Sequence, residues 1–166
     1  MSANQPTQPE LPPTTAIDKP SNYAFEDWFA YPVRVYPHHT DCAGIVWHGN
    51  YLTWMEEARV ECLRSIGIDY TNLVALGCDL AVVNISLHYH RSLMLGMDVL
   101  VKTRMTDVTG VRMNWDYAIV STDGQQLYTT AKVTLVALDR ERGKIMRQLP
   151  AAFKDALLKI STLHNN

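Results

Sequence analysis

Residues 51–66 carry one long amphipathic helical pattern, and four strand-like runs follow it with no second long helix among them. That order constrains the fold more than any other feature of the chain. On a 3.6-residue wheel Tyr51, Trp54, Met55, Ala58, Cys62 and Ile66 share one face, with Thr53, Glu57, Val60 and Arg64 opposite. Asn50 is placed to cap this helix, Gly67 to take the left-handed position after it, and Ile68 to close back on Leu63. Glu56–Arg59 and Glu61–Arg64 read as surface i,i+3 pairs. In the first run after the helix, 83–91, Val83, Ile85, Leu87 and Tyr89 alternate with Asn84, Ser86, His88 and His90. The next runs are 97–105, 111–120 and 127–138, with Asp123-Gly124 as a hairpin signal. A strand over 31–38 precedes the helix, and Pro32 and Pro37 argue for an edge position or for strand ends. Pro150 opens a short terminal helix anchored by Phe153, Leu157 and Ile160. One helix on an antiparallel sheet is an α+β layer, and its open strand edges are most simply closed by a partner subunit.

The remaining sequence sets the boundaries. Residues 1–22 are rich in Pro, Thr, Gln and Ser and read as a flexible tail, 23–161 as one domain and 162–166 as a terminal tail. Trp28 is expected to pack against the start of the domain. A net charge of −2 gives no basic field for nucleic acid. No apolar run approaches the roughly 20 residues of a membrane span. Three cysteines without a CxxC pair, and no signal-peptide layout, point to reduced thiols in a cytoplasmic protein.

The chemistry concentrates before the helix, in His39-Thr-Asp41-Cys-Ala-Gly44-Ile-Val-Trp47-His48-Gly49-Asn50-Tyr51. An acid sits in a loop, and seven residues later a helix begins. A helix start carries unpaired N–H donors and roughly half a positive charge. A carboxylate next to such a start stands beside a site for an oxyanion. Gly44 and Gly49 allow close approach of a ligand.

This loop, with Trp54-Met-Glu-Glu-Ala58-Arg59 after it, resembles the hotdog-fold thioesterases. The nearest likeness is to the 4-hydroxybenzoyl-CoA thioesterase group and its short-chain acyl-CoA and Tol–Pal-associated relatives, over about residues 31–150. The resemblance implies a hotdog fold: one long central helix wrapped by a curved antiparallel sheet, subunits paired edge to edge, and sites between subunits. It implies an acyl-CoA thioester hydrolase whose catalytic residues are Asp41 and His48. The His48 backbone N–H would bind the thioester carbonyl, and some members use the His side chain as well. Trp47, Gly49, Asn50 and Tyr51 fall at the substrate, and Arg112 where family members place basic groups for the nucleotide. Coenzyme A is part of the substrate, and no further cofactor or metal is implied. A homodimer or homotetramer is expected. Members that use the His side chain also carry a Tyr four residues before the Asp, a position held here by Pro37 beside Tyr36. A second clade uses a helix Glu, and Glu56, Glu57 and Glu61 match it in type only.

Thiolate is a good leaving group, so hydrolysis needs a nucleophile and an oxyanion site more than a strong acid. Asp41 can attack to form a mixed anhydride or activate water. Each residue has a plainer reading. Asp41 alone is an ordinary turn acid, Trp47 and Tyr51 are core aromatics, Asn50 is a helix cap, and Arg112 is part of a solvated face. His38, His39, His88 and His90 match no metal spacing, and Cys42, adjacent to Asp41, points away from it. Two other functions compete: a hotdog hydratase/dehydratase, against which the absent Asn-Pro segment argues, and a non-catalytic acyl-thioester-binding module.

Overall fold

The computed structural model describes Phe25 and residues 27–163, with side chains as far as residue 158. The tail assigned to 1–22, residues 164–166 and the anchoring role of Ile160 lie outside these. Strand β1 (Phe29–Arg34) leads through a 3-10 turn at Pro37–His39 to helix α1 (Asn50–Ser65). A short helix α2 (Tyr70–Ala75) precedes β2 (Cys78–Tyr89), β3 (Asp98–Thr109), β4 (Arg112–Ser121) and β5 (Leu127–Asp139). A two-residue β6 (Lys144–Ile145) and helix α3 (Ala151–Leu163) end the chain. The expected elements are all present. The additions are β6, the 3-10 turn, which takes the end of the strand expected over 31–38, and α2, which Asp69 caps by accepting the Thr71 amide at 2.9 Å.

All pairings are antiparallel, in the order β1-β3-β4-β5-β2 with β6 on β5. Each hairpin of the central sheet is dictated locally. Gly124 turns β4 into β5 at φ 72°, a conformation open to glycine at little cost. Strand β1, which carries Pro32, is an edge as expected, and β2 is the other.

Helix α1 lays Tyr51, Trp54, Met55, Ala58, Cys62 and Leu63 on one face of the sheet. Met113, Trp115, Tyr117 and Ile119 of β4 alternate inward to meet them, with Val133, Leu135 and Ala137 of β5. Burying each large side chain contributes roughly 1.5–3 kcal/mol, so this interface holds the helix in place. The sheet curls around α1 as a half-barrel. On its other face Trp28 packs with Phe25, Leu100, Ala118, Val120 and Leu127, and the Arg104 guanidinium lies 4.5 Å over its ring. Past α1, Gly67 adopts φ 85° and the Ile68 amide donates to Leu63 at 2.9 Å, the expected helix stop.

Two expectations about α1 are corrected. Arg59 is not a surface partner of Glu56: it is 3% exposed and donates to the Tyr117 hydroxyl at 3.0 Å. The wheel puts Arg59 one step from Met55 and Ala58, and the sheet curls far enough to cover it. Asn50 does not cap the helix with its side chain, because that amide donates to the His39 carbonyl at 2.6 Å. Gly49 holds the cap position, and no side chain caps the helix start.

Candidate active site

The loop before α1 is a tight hairpin whose geometry follows from its residue types. Thr40 bridges Val46, and the Asp41 amide donates to Ile45 at 2.8 Å. The Gly44 amide returns to the Asp41 carbonyl at 3.1 Å, with Gly44 at φ 74°. That is a three-residue hairpin loop: a turn, then a left-handed glycine. Asp41 opens it and stabilises it. Its Oδ1 accepts the amides of Ala43 at 2.8 Å and Ile45 at 3.1 Å. The plain reading of Asp41 as a turn residue therefore holds for one carboxylate oxygen. Oδ2 has no partner among the described residues, and Asp41 is exposed.

The hairpin is tied down on both sides. The Trp47 amide and the Asn50 side chain both donate to His39, which fixes the hairpin base to the first turn of α1. Val46 donates to Leu93 at 2.9 Å, and Leu95 donates to Gly44 at 3.0 Å. The β2–β3 connection thus forms the hairpin's other wall. Only two residues, Val46 and Trp47, separate Ile45 from His48, at most about 10 Å of chain. The hairpin thus carries Asp41 at its tip and leads from its base directly into the helix start.

At that start the amides of His48, Gly49 and Tyr51 have no acceptor among the described residues. Because no side chain caps the helix, these donors remain available to a ligand. The Trp47 carbonyl accepts Asn50 at 3.0 Å, facing into the helix. In a planar trans peptide the His48 N–H then points the other way, off the helix end.

The aromatic residues divide between roles. Tyr51 is 3% exposed and belongs to the core, its hydroxyl accepting the Leu93 amide at 3.3 Å. Burial raises its pKa, so it stays neutral. Trp47 is 54% exposed, and its indole lies 4.8 Å from the His48 ring and across the Gly49 Cα. The His48 ring is exposed and makes no hydrogen bond among the described residues. His39 accepts the Tyr36 amide on Nδ1 at 3.0 Å, and burial together with His38 lowers its pKa. Arg112 is not brought to this loop within one chain. It begins β4, whose ten residues span about 30 Å before reaching the end that faces the hairpin.

Two features were not legible before folding. Tyr89, at the end of β2, donates its hydroxyl to the His48 carbonyl at 2.8 Å. A cavity of about 600 Å³ opens between β1 and α1, walled by Tyr31, Val33, Trp54 and Val99, with Arg34, His39 and Glu57 at its polar side; Asp41, Trp47, His48 and Gly49 do not line it. Glu57 accepts the Tyr31 hydroxyl there at 3.2 Å. Among the described residues no group of three or more His, Cys, Asp or Glu could hold a metal ion, and no helix is long and apolar enough to cross a membrane.

The profile of the Thioesterase superfamily matches residues 43–128. A protein of Synechocystis sp. named as a candidate esterase is 48% identical over 92% of this chain and 96% of its own length. The acyl-CoA thioester hydrolase YbgC of Escherichia coli O6:H1 is 29% identical over 76% of this chain and 96% of its own. Among solved structures, a DHNA-CoA thioesterase from Staphylococcus aureus superposes with a TM-score of 0.76 at 26% identity, covering 83% of this chain and 93% of that one. The half-barrel around α1 and these likenesses converge: the chain belongs to the thioesterase superfamily and has the hotdog fold.

Proposed function

We propose that this protein hydrolyses an acyl-CoA thioester at the start of α1, with Asp41 as the reacting carboxylate. Membership of the superfamily makes it a thioester hydrolase of acyl-CoA. The observation that carries the residue assignment is the uncapped helix start, where three amides lack acceptors one tight hairpin away from a carboxylate with a free oxygen.

The His48 N–H receives the thioester carbonyl oxygen and stabilises it as it becomes anionic. Oδ2 of Asp41 then acts in one of two ways. It attacks the carbonyl carbon, the C–S bond breaks, coenzyme A leaves as thiolate, and water cleaves the mixed anhydride. Or it takes a proton from water, whose oxygen attacks instead. Oδ1, holding two loop amides, orients the group in both routes.

Trp47, half exposed beside His48, suits an aryl acyl group. The Staphylococcus aureus neighbour is named for an aromatic thioester. Short and medium aliphatic thioesters are the second class. The working unit is a homodimer formed through β2, whose outer edge is unpaired and exposes Val82, Val83 and Ile85. Antiparallel pairing of two β2 strands places the Arg112 end of one sheet at the catalytic-loop end of the other. Arg112 then reaches the nucleotide half of the substrate from the second copy. Free thiols at Cys42, Cys62 and Cys78 fit a cytoplasmic location.

The test is thiol release from a panel of aryl- and alkyl-CoA substrates, comparing wild type with Asp41→Asn. Turnover falls by at least about 10²-fold in the variant, with KM little changed. Equal release by both proteins removes Asp41 from the mechanism, and no release from any substrate supports the binding-module reading.

A further inference from the structure

We infer that Tyr89 is a positioning residue for hydrolysis: its hydroxyl pins the His48–Gly49 peptide, so that the Gly49 N–H is held and polarised as a second oxyanion donor beside that of His48. This rests on the reading of the helix start as the oxyanion site.

The argument begins with one bond. The Tyr89 hydroxyl donates to the His48 carbonyl at 2.8 Å, across 41 residues of sequence. That carbonyl shares a planar peptide with the Gly49 N–H, and the two point in opposite directions. Holding one aims the other. The Gly49 N–H has no acceptor among the described residues. A donor on a peptide's oxygen also draws electron density toward that oxygen, which strengthens the peptide's N–H as a donor in turn. The preceding peptide is fixed in its own way, through the Trp47 carbonyl and the Asn50 amide at 3.0 Å. Consecutive amides, of His48 and Gly49, are thus both held by bonds to their carbonyl partners. Neither needs to reorganise as charge develops on the thioester oxygen.

Tyr89 is itself held for this task. Its ring meets the buried Tyr51 edge to face at 5.0 Å, and the Tyr51 hydroxyl is fixed by the Leu93 amide. Half of Tyr89 remains exposed. The Trp47 indole covers the Cα of Gly49, which keeps water off that side of the peptide.

The experiment uses full-length Tyr89→Phe beside Asp41→Asn, on whichever CoA thioester the panel selects. Phe keeps the ring contact and removes only the bond. We expect kcat to fall about tenfold with KM within about twofold, well short of the ~10²–10³-fold loss when an oxyanion donor itself is removed. A second readout reports the bond directly. His-Gly occurs once in the sequence, so protein labelled with ¹³C′-His and ¹⁵N-Gly gives one amide correlation, that of Gly49. In Tyr89→Phe its carbonyl carbon moves upfield as the hydroxyl donor is lost. Unchanged kcat in Tyr89→Phe, with Asp41→Asn inactive, overturns the positioning role alone. So does a loss expressed wholly as a higher KM. An active Asp41→Asn removes Asp41 from the mechanism, and Tyr89→Phe then tests the helix start by itself: unchanged kcat there overturns the oxyanion site and the positioning role together.

Discussion

Gly49 has no conformational need to be glycine, since its φ of −71° and ψ of −26° suit any residue. Its need is steric: a Cβ there would run into the six-membered ring of Trp47. Gly49→Ala therefore swings a half-exposed indole away from the proposed oxyanion site. Stability changes by about 1 kcal/mol or less because the indole has solvent to move into. We expect kcat/KM to fall about tenfold through the disturbed peptide, with a shift in tryptophan emission marking the displaced ring. Asp41 shows how far one residue can be read from sequence. Its neighbours Cys42-Ala43-Gly44 already spell a turn, and the turn uses one carboxylate oxygen as expected of an ordinary Asx turn. That the other oxygen stays free is a fact of three dimensions. Asn50 was legible as a polar residue at a helix start. The His39 carbonyl that claims its side chain was not, because the hairpin has to close before that acceptor arrives.

At the scale of the element, α1 is the part best written in the chain, and Arg59 is the place where its pattern misleads. An arginine three residues after a glutamate reads as a surface pair. Here it is buried, with one N–H on the Tyr117 hydroxyl and its Nε without a partner. Its stem continues the apolar stripe between Met55 and Cys62, and the curl of β4 decides that the head is covered too. Tyr117→Phe leaves a buried cation short of an acceptor. We expect a loss of roughly 1.5–3 kcal/mol in denaturant unfolding at fixed protein concentration. The double variant Arg59→Met with Tyr117→Phe costs less than the sum of the two single changes, because neither partner is then left unpaired.

At the scale of the molecule, β2 is an edge strand that packs Cys78, Leu80 and Leu87 against the core but leaves its middle uncovered. Val82, Val83 and Ile85 are each more than two-fifths exposed, and a register shift lies between Val82 and Asn84. Such an edge invites pairing with a second copy. Ile85→Lys places a charge in that edge. On the proposed β2 homodimer, sedimentation should show association weakened at least tenfold, and turnover should fall with it if Arg112 of the second copy serves the nucleotide as proposed. A wild-type protein that sediments as a monomer while hydrolysing CoA thioesters would remove β2 from the assembly. What the sequence determined by itself is local and periodic: the helix stripe, the period-two strands, the turn at Gly44, and an acid seven residues before His48. These are set by interactions within a few residues, so they are visible in one dimension. What the tertiary structure decided is every partner that arrives from far along the chain. Tyr89 reaches His48 from the end of β2, Leu93 and Leu95 wall the hairpin, Tyr117 meets Arg59, and Arg112 is carried to the far end of the sheet. Those placements follow from strand order and sheet curvature, which no single stretch of sequence encodes.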